Sequence, residues 1–243
     1  MKAPPWLLVD TGVLETARSV ILDPTEARHV TASLRRRPGD EIILADGNGW
    51  IAEAKLISIK RRRVEAEVLS VRREPEPRAE GVTVALAVVG SQAMDWAVQK
   101  AVEIGVRCFV PIETDRAQLR GKDLGGRVEH WRRTSMQALK QCRRPWAMEV
   151  SDVVPLAVFV GGRPGGGAVA DRQGRSIGEL PSETGSVLVV GPEGGFTSEE
   201  REYLDRPGWP RLRLGPHVLR AETAVVVGGA MMVARSEQLR EKS

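Results

Sequence analysis

The spacing of apolar residues along the chain changes near residue 72. Before that point, apolar residues alternate with polar ones in short stretches such as 41–45 and 51–56, which are separated by the polar turns 38–40 and 46–49. Alternation with a period of two between turns rich in Gly, Pro and Asp is typical of short β-strands. The first part of the chain is therefore predicted to form a small β-barrel or sandwich.

Beyond residue 81, apolar strands alternate with helical patterns. Residues 82–90 form a continuous apolar, β-branched run, which favours a strand buried on both faces of a parallel sheet. The other predicted elements are strands at 107–112, 168–170, 187–190 and 211–214 and helices at 94–104, 131–142 and 221–239. This alternation predicts an α/β fold with a mainly parallel sheet.

A charged segment, 73–81, separates the two patterns. It contains two prolines and shows no apolar periodicity, so it is predicted to be a linker. At 243 residues the chain is long enough for two domains, since a domain typically takes about 100–200 residues. We therefore expect a β-domain at 1–72, the linker at 73–81 and an α/β domain at 82–243.

Composition and the longest apolar stretch narrow the class of protein. With 42% hydrophobic and 28% charged residues, the chain lies outside the compositions of disordered, collagen-like and coiled-coil proteins. The apolar stretch 224–234 has about half the length that a membrane-spanning helix requires. The N-terminal residues lack the apolar region of a secretory signal, so we expect a cytoplasmic protein without a membrane partner.

The sequence lacks the motifs of several common types of site. The two cysteines and three histidines are scattered, so neither a metal site nor a disulfide is expected. The sequence contains no G-x-x-x-x-G-K-[ST] phosphate loop and no G-x-S-x-G nucleophile motif. An ATPase, kinase or α/β-hydrolase interpretation therefore has no support.

Two clusters of positive charge occur in the first domain, at 35–37 and 60–63. The whole chain has 36 Lys and Arg residues against 32 Asp and Glu residues, a formal net charge of +4. Basic clusters can contact the phosphates of a nucleic acid, although a run of charge is more commonly a solvated turn. Charge alone leaves both interpretations open.

A glycine-rich connection follows one of the predicted strands. The strand 187–190 runs into the turn 191–195, after which Thr197 and Glu200 form a capping box for a helix. Glycines at the carboxyl end of a strand let main-chain groups approach a flat ligand, and open α/β sheets bind ligands at that edge. A tight connection that needs glycine only for its dihedral angles explains this segment equally well.

A second connection of the same kind favours the ligand interpretation. The strand 211–214 runs into a Gly-Pro pair at 215–216 and then into a helix, with Arg220 and Glu222 near the start of that helix. Glu222 in the first turn could simply complement the helix dipole. Two glycine–proline bends at strand ends nevertheless indicate a shared binding site.

The two bends, GPEGGFTSEE at 191–200 and LGPHVLRAETA at 214–224, resemble those of the RsmE family of 16S ribosomal RNA uridine-N3 methyltransferases, members of the SPOUT superfamily. The resemblance continues over most of the chain. The further segments that carry it are 28–30, 36–42, 94–106, 114–116 and 131–144.

The resemblance implies an N-terminal PUA-like β-barrel and a C-terminal SPOUT domain tied in a trefoil knot, which is a rare exception to unknotted topology. It also implies S-adenosylmethionine as the cofactor and a homodimer in which each site lies near the interface. The implied substrate is a uridine of 16S ribosomal RNA or of the small ribosomal subunit, and no metal is implied.

The resemblance further assigns roles to individual residues. The implied cofactor-binding residues are Ala170, Asp171, Gly191, Pro192, Glu193, Gly194, Gly195, Leu214, Gly215, Val218, Leu219 and Thr223. The implied catalytic residues are Arg220, as a cation that stabilises charge on the uracil oxygens, and Glu222, which takes the N3 proton or orients Arg220. The candidate RNA-binding residues are Arg35, Arg36, Arg37, Arg61, Arg62, Arg63, Arg116, Arg143 and Arg144.

Two other functions remain open for such a chain. One is a different SPOUT reaction, ribose 2′-O-methylation, which would need a base near a sugar hydroxyl. The other is a ribosome-assembly or RNA-binding factor that keeps the fold without catalysis. The presence of glycine at 191, 194, 195 and 215 argues against the second alternative.

Overall fold

The computed structural model describes residues 3–60, 63–76, 81–117, 124–163 and 165–241. Contacts divide the chain into two units. The first contains Met1–Pro77 and Leu139–Ala147, and the second contains Arg78–Ala138 and Met148–Ser243.

A five-stranded mixed sheet builds the first unit. Its strands are β1 (Trp6–Leu8), β2 (Ser19–Ile21), β3 (Glu41–Ala45), β4 (Trp50–Lys60) and β5 (Arg63–Arg73). They lie in the order β1-β3-β4-β5-β2; β1 and β3 are parallel and the other neighbours are antiparallel. Alternation along β4 buries Ala54 and Leu56 and exposes Glu53 and Lys55, as the sequence pattern predicts.

A short helix that the sequence analysis does not predict, α1 (Pro24–Arg28), follows β2. The Asp23 carboxylate accepts hydrogen bonds from the backbone N–H groups of Thr25 and Glu26 at 2.6 and 3.2 Å and so caps the helix. Proline occupies the first helical position, where its missing N–H is not needed.

The segment Leu139–Ala147 joins the first unit, whereas the predicted division assigns it to the second domain. The reason lies in its side chains. The Lys140 ammonium lies 2.8 Å from the buried carboxylate of Glu26, and the Arg73 guanidinium lies 5.6 Å from the Trp146 ring. The predicted linker begins at the last residue of β5, Arg73, and its residues 77–80 lie outside the described residues.

A parallel sheet forms the centre of the second unit. Its strands are β6 (Thr83–Ala87), β7 (Cys108–Glu113), β8 (Glu149–Val150), β9 (Val154–Pro155), β10 (Ala168–Arg175), β11 (Val187–Val190) and β12 (Arg211–Leu212). In the described residues these strands lie in the order β12-β10-β11-β6-β7-β8, with β9 also paired to β7. Every pair is parallel.

The helices of this unit are α2 (Ser91–Glu103), α3 (Leu124–Cys142), α4 (Leu156–Gly161), α5 (Ser198–Leu204) and α6 (Ala221–Glu241), with the end of α3 from Leu139 onward belonging to the first unit. The predicted α/β fold with a mainly parallel sheet is confirmed. The sequence patterns miss the two-residue strands β8 and β9 and the helix α4, which are too short for periodicity to indicate. The threading of the implied knot stays a prediction.

Helix α6 packs closely on the sheet and on the end of α2 through two glycines. A Cβ atom added at Gly228 would lie 2.6 Å from Cδ2 of Leu188, and one added at Gly229 would lie 2.7 Å from Cδ1 of Ile104. The central strand of the sheet is inaccessible to solvent, since Val84 and Leu86 of β6 are fully buried. In the described part of the chain, no helix is long and apolar enough to cross a membrane.

We expect Gly228→Ala to lower the free energy of unfolding by about 1–3 kcal/mol, because the added methyl group would be forced against Leu188 and Leu214. Urea denaturation followed by circular dichroism measures the change. Gly126→Ala in α3 is the matched control, since an added Cβ there meets nothing within 4 Å. The control should be neutral or stabilising by up to about 1 kcal/mol. Equal destabilisation by both substitutions would contradict the packing argument.

Candidate active site

A cleft of about 430 Å³ opens where β10, β11 and β12 end. We call it the first cleft. Three segments form it, namely 170–172 at β10, the turn after β11, and the loop between β12 and α6. The lining residues are Ala170, Asp171, Arg172, Val190, Gly191, Pro192, Glu193, Gly195, Phe196, Arg201, Arg211, Leu214, Gly215, His217, Val218, Leu219, Arg220, Ala221 and Ala224. This is the edge at which open α/β sheets bind ligands.

The first cleft has an apolar side and a side rich in main-chain groups. Leu214, Val218 and Leu219 supply apolar surface, and the Val218 side chain is 81% exposed. The turn 191–195 forms the other side, and within it the Gly195 N–H donates to the Pro192 carbonyl at 2.8 Å. Gly195 has a φ of +68°, a left-handed conformation that favours glycine.

The turn after β11 is held in place by a buried carboxylate. Glu200, which is 6% exposed, accepts a hydrogen bond from the Thr197 N–H at 2.9 Å, while its own N–H donates to the Thr197 hydroxyl at 3.3 Å. The predicted capping box is therefore confirmed. The second oxygen of Glu200 accepts the N–H of Asp115 at 2.7 Å, which links the turn to the end of β7.

The segment 114–116 makes two further contacts with the same turn. The Thr197 hydroxyl donates to the Asp115 carboxylate at 3.2 Å, and the Arg116 guanidinium donates to the Gly194 carbonyl at 2.6 Å. Arg116, a candidate RNA-binding residue, thus contacts the candidate cofactor turn from its outer side.

An ion-pair chain forms the wall of the first cleft near β10. The Arg211 guanidinium donates to the Asp171 carboxylate at 2.7 Å and also to Asp205. Burial disfavours the charged form of Arg211, but its hydrogen bonds to Asp205 and Asp171 outweigh burial and raise its pKa. Asp171 also accepts the Gln173 N–H at 2.8 Å, so its carboxylate is fixed in position.

A second cleft, of about 610 Å³, adjoins the first. Its lining residues are Val89, Gly90, Ser91, Gln92, Ala93, Trp96, Glu193, Arg220, Ala221, Glu222 and Thr223. Three residues, Glu193, Arg220 and Ala221, line both clefts. Arg220, which is exposed, therefore stands on the wall that the two clefts share.

The first turn of α6 divides the candidate residues between the clefts. Ala221 and Ala224, three positions apart, lie on the face toward the first cleft. Glu222 and Thr223 lie on the neighbouring face and line the second cleft. Two implied cofactor residues therefore do not line the first cleft. Thr223 faces the second cleft, because the turn of the helix directs it there. Gly194 lies against the Arg116 side chain.

The structure brings most of the implied cofactor residues together. Ten of the twelve line the first cleft, namely Ala170, Asp171, Gly191, Pro192, Glu193, Gly195, Leu214, Gly215, Val218 and Leu219. The residues of that cleft that the sequence analysis does not assign include Phe196, Arg201 and Arg211, and those of the second cleft include Gln92 and Trp96. A signal for Trp96 exists in the sequence, since its position in the helical pattern lies off the apolar face of α2.

The remaining candidate RNA-binding residues belong to the first unit. Arg63 is exposed and lies opposite Lys60 in the antiparallel register of β4 and β5. Asp40 lies 4.0 Å from the Arg36 guanidinium and accepts the Arg37 N–H at 3.0 Å. The others are Arg35, Arg143 and Arg144, of which Arg35 and Arg143 have φ angles of +51° and +60°. Arg61 and Arg62 lie outside the described residues.

Metal ligands do not cluster in the described residues, where no group of three or more His, Cys, Asp or Glu side chains could hold an ion. The ionisable side chains that line the clefts near their shared wall are Glu193, Arg220 and Glu222.

Comparison with known families supports an RNA-modifying enzyme. Residues 75–233 match the RNA methyltransferase domain, and residues 22–69 match the RNA methyltransferase PUA domain. The first match covers the whole parallel sheet and both clefts, and the second lies within the five-stranded mixed sheet.

Relatives are similar over nearly the whole chain. The ribosomal RNA small subunit methyltransferase E of Aquifex aeolicus is 31% identical over 221 residues, which cover 85% of this chain and 90% of the relative. A methyltransferase of Legionella pneumophila, solved with bound S-adenosylmethionine, superposes with a TM-score of 0.86 at 25% identity and covers 96% of this chain and 98% of its own.

A third relative is a small subunit methyltransferase E whose structure contains S-adenosylmethionine. The ribosomal RNA small subunit methyltransferase E of Neisseria gonorrhoeae, solved bound to S-adenosylmethionine, superposes with a TM-score of 0.84 at 26% identity and covers 95% of this chain and 97% of its own. Together with the two matched domains and the strand order of the parallel sheet, these likenesses show that the chain belongs to the RsmE family of RNA methyltransferases.

Proposed function

We propose that this chain transfers a methyl group from S-adenosylmethionine to N3 of a uridine in the 16S RNA of the small ribosomal subunit. The observation that carries the proposal is the pair of clefts that meet at Arg220. One cleft suits a nucleoside cofactor, the other is open to a second ligand, and a cation stands where the two ligands would meet.

The first cleft fits the cofactor in size and in the type of its groups. Its volume of about 430 Å³ lies within the range of roughly 300–1,000 Å³ that is usual for small-molecule sites. Leu214, Val218 and Leu219 would enclose the adenine, and main-chain groups of the turn 191–195 would bond its polar edge and the ribose. When bound, S-adenosylmethionine supplies a methyl group on a positively charged sulfur.

The second cleft would receive the uracil. Its N3 carries an imide proton that has to leave before or during transfer, and the resulting negative charge spreads onto O2 and O4. Arg220 would stabilise that charge, as a fixed cation does at a developing anion. Both clefts would also hold the two reacting groups in line, which by itself lowers the barrier.

Glu222 lines the same second cleft and would act there in one of two ways. If it takes the N3 proton, Glu222→Gln should slow transfer at neutral pH, and raising the pH should restore it because hydroxide replaces the carboxylate. If it only orients Arg220, the loss should not depend on pH. A pH profile of kcat for the two proteins separates these roles.

The domain at 1–72 would hold the RNA and the domain at 82–243 would carry the chemistry. We also propose that the chain works as a homodimer. The resemblance to the family supports this, and so does Val218, an apolar side chain left 81% exposed at the first cleft, which a second subunit would cover. Sedimentation velocity should give twice the mass of the 243-residue chain.

We expect Arg220→Ala to lower kcat for methyl transfer by about 10²–10³-fold, since it removes the cation from the developing negative charge. Transfer of labelled methyl groups to 16S RNA transcripts measures this, with mass spectrometry of the nucleosides to locate the methyl group. Arg206→Ala is the matched control, because Arg206 stacks on Tyr203 and lines neither cleft. Unchanged transfer by Arg220→Ala, or a methyl group on the ribose 2′-oxygen, would contradict the proposal.

Glu200→Gln should weaken the binding of S-adenosylmethionine about tenfold or more, because an amide cannot accept both N–H bonds and the turn after β11 loses its support. Calorimetry with the cofactor measures the change. Glu199→Gln is an exposed neighbour with the same change of charge and should alter affinity little. If both variants bind the cofactor as the unaltered protein does, the carboxylate does not support the turn.

The basic hairpin end at 60–63 should contribute phosphate contacts. Replacing Arg61, Arg62 and Arg63 by Ala should weaken RNA binding and reduce the slope of log affinity against log salt by up to about 2, at about 0.7 per lost contact to single-stranded RNA. A salt titration of RNA affinity measures this. An unchanged slope would show that the cluster is a solvated turn.

A further inference from the structure

A groove of about 620 Å³ runs between α2 and α3. We call it the α2–α3 groove. Gln92, Trp96 and Gln99 of α2 form one side, and Arg133 and Gln137 of α3 form the other. Spacings of three and four residues place each set on a single face of its helix.

Trp96 lies outside the buried face of α2. The core face of α2 consists of Met94, Ala97, Val98, Ala101 and Val102, all buried, whereas the Trp96 side chain is 41% exposed. With 41% of its surface left in water, Trp96 contributes only part of the stabilisation that a buried tryptophan gives. Its exposed ring on the groove wall is free to contact a ligand.

The groove is continuous with the second cleft. Gln92 and Trp96 line both, so a chain that leaves the second cleft passes directly over these two side chains. The second cleft in turn meets the first at Arg220. If a base of an RNA strand enters the second cleft, the nucleotide next to it would therefore lie at the groove.

The side chains of the groove suit single-stranded nucleic acid. Aromatic rings stack on bases, glutamine amides both donate and accept at base edges, and arginine contacts phosphate. The groove's carboxylate, Asp95, lies 2.9 Å from Nε2 of His130. Apolar atoms supply more of the groove's surface than polar atoms do, although Trp96 and Ala138 are the only apolar residues among its described lining residues; the Trp96 ring is the flat apolar surface on which a base would stack.

We propose that the α2–α3 groove binds the single-stranded nucleotides next to the target uridine, with Trp96 stacked on a neighbouring base. This inference rests on the proposed function, and it adds a binding site for the RNA in the methyltransferase domain. The contact would position the target base in the second cleft, so Trp96 is a positioning residue.

The test compares Trp96→Ala and Trp96→Phe with the unaltered protein on a short single-stranded RNA from the substrate region. Trp96→Ala should raise the Kd for the RNA, and the KM for the RNA, roughly 5- to 150-fold, which is the usual effect of losing one stacked base. Trp96→Phe should recover most of the loss. Cofactor affinity should change little, because Trp96 does not line the first cleft, and Val158→Ala, an exposed apolar control outside the groove, should leave the Kd for the RNA, the KM for the RNA and the cofactor affinity unchanged.

A second comparison identifies the partner of Trp96. RNAs that lack the base on the 5′ or the 3′ side of the target should bind the unaltered protein more weakly on one side only. On that RNA, Trp96→Ala should cause no further loss, because the stacked base is already gone. Arg133→Ala should lower the salt slope of RNA affinity by about 0.7, as for one phosphate contact.

Three results would overturn the inference. The first is an unchanged RNA affinity and KM for Trp96→Ala, and the second is equal losses on intact and base-lacking RNA. The third is dissociation of a dimer by Trp96→Ala with intrinsic RNA binding retained, which would assign the groove to a second copy of the chain. Failure of the proposed function would give a different result, because the unaltered protein would then bind RNA without methylating it. The comparison of RNA affinities would still test the groove in that case.

Discussion

The position of the site depends on the parallel pairing of β10 with both β11 and β12. Parallel strands end at the same edge of a sheet, so this pairing brings together three chain segments that are far apart in sequence. The turn after β11 and the loop before α6 meet there and enclose the first cleft. Glu200 then fixes the first of these segments by accepting N–H groups from both Thr197 and Asp115.

The close approach of α6 to the sheet determines where the chemistry lies. Gly228 and Gly229 leave room for the helix axis to come near β11 and α2, and the first turn of the helix then reaches the edge where the strands end. Rotation along that turn sends Ala221 and Ala224 toward one cleft and Glu222 and Thr223 toward the other. Arg220 lies just before the helix, on the wall between them, which is why one cation could act on ligands from both sides.

Sequence patterns predict the large elements and part of the site. The run 82–90 and the capping box at Thr197 and Glu200 are local signals, and the structure contains both the buried strand and the capped helix. Asp115 and Arg116 could not be placed by such signals, since their contacts with the turn join residues about 80 positions apart. For the same reason the assignment of 139–147 to the first unit depends on tertiary contacts of Lys140 and Trp146 that no periodicity encodes.

The central claim is that the two clefts hold two different ligands on either side of Arg220. A crystal structure of the protein with S-adenosylhomocysteine and a uridine-containing RNA oligonucleotide tests it most directly. The account predicts the adenine between Leu214 and Leu219 in the first cleft and the uracil beside Arg220 in the second. A nucleoside bound away from the turn 191–195, or a uracil that does not enter the second cleft, would contradict it.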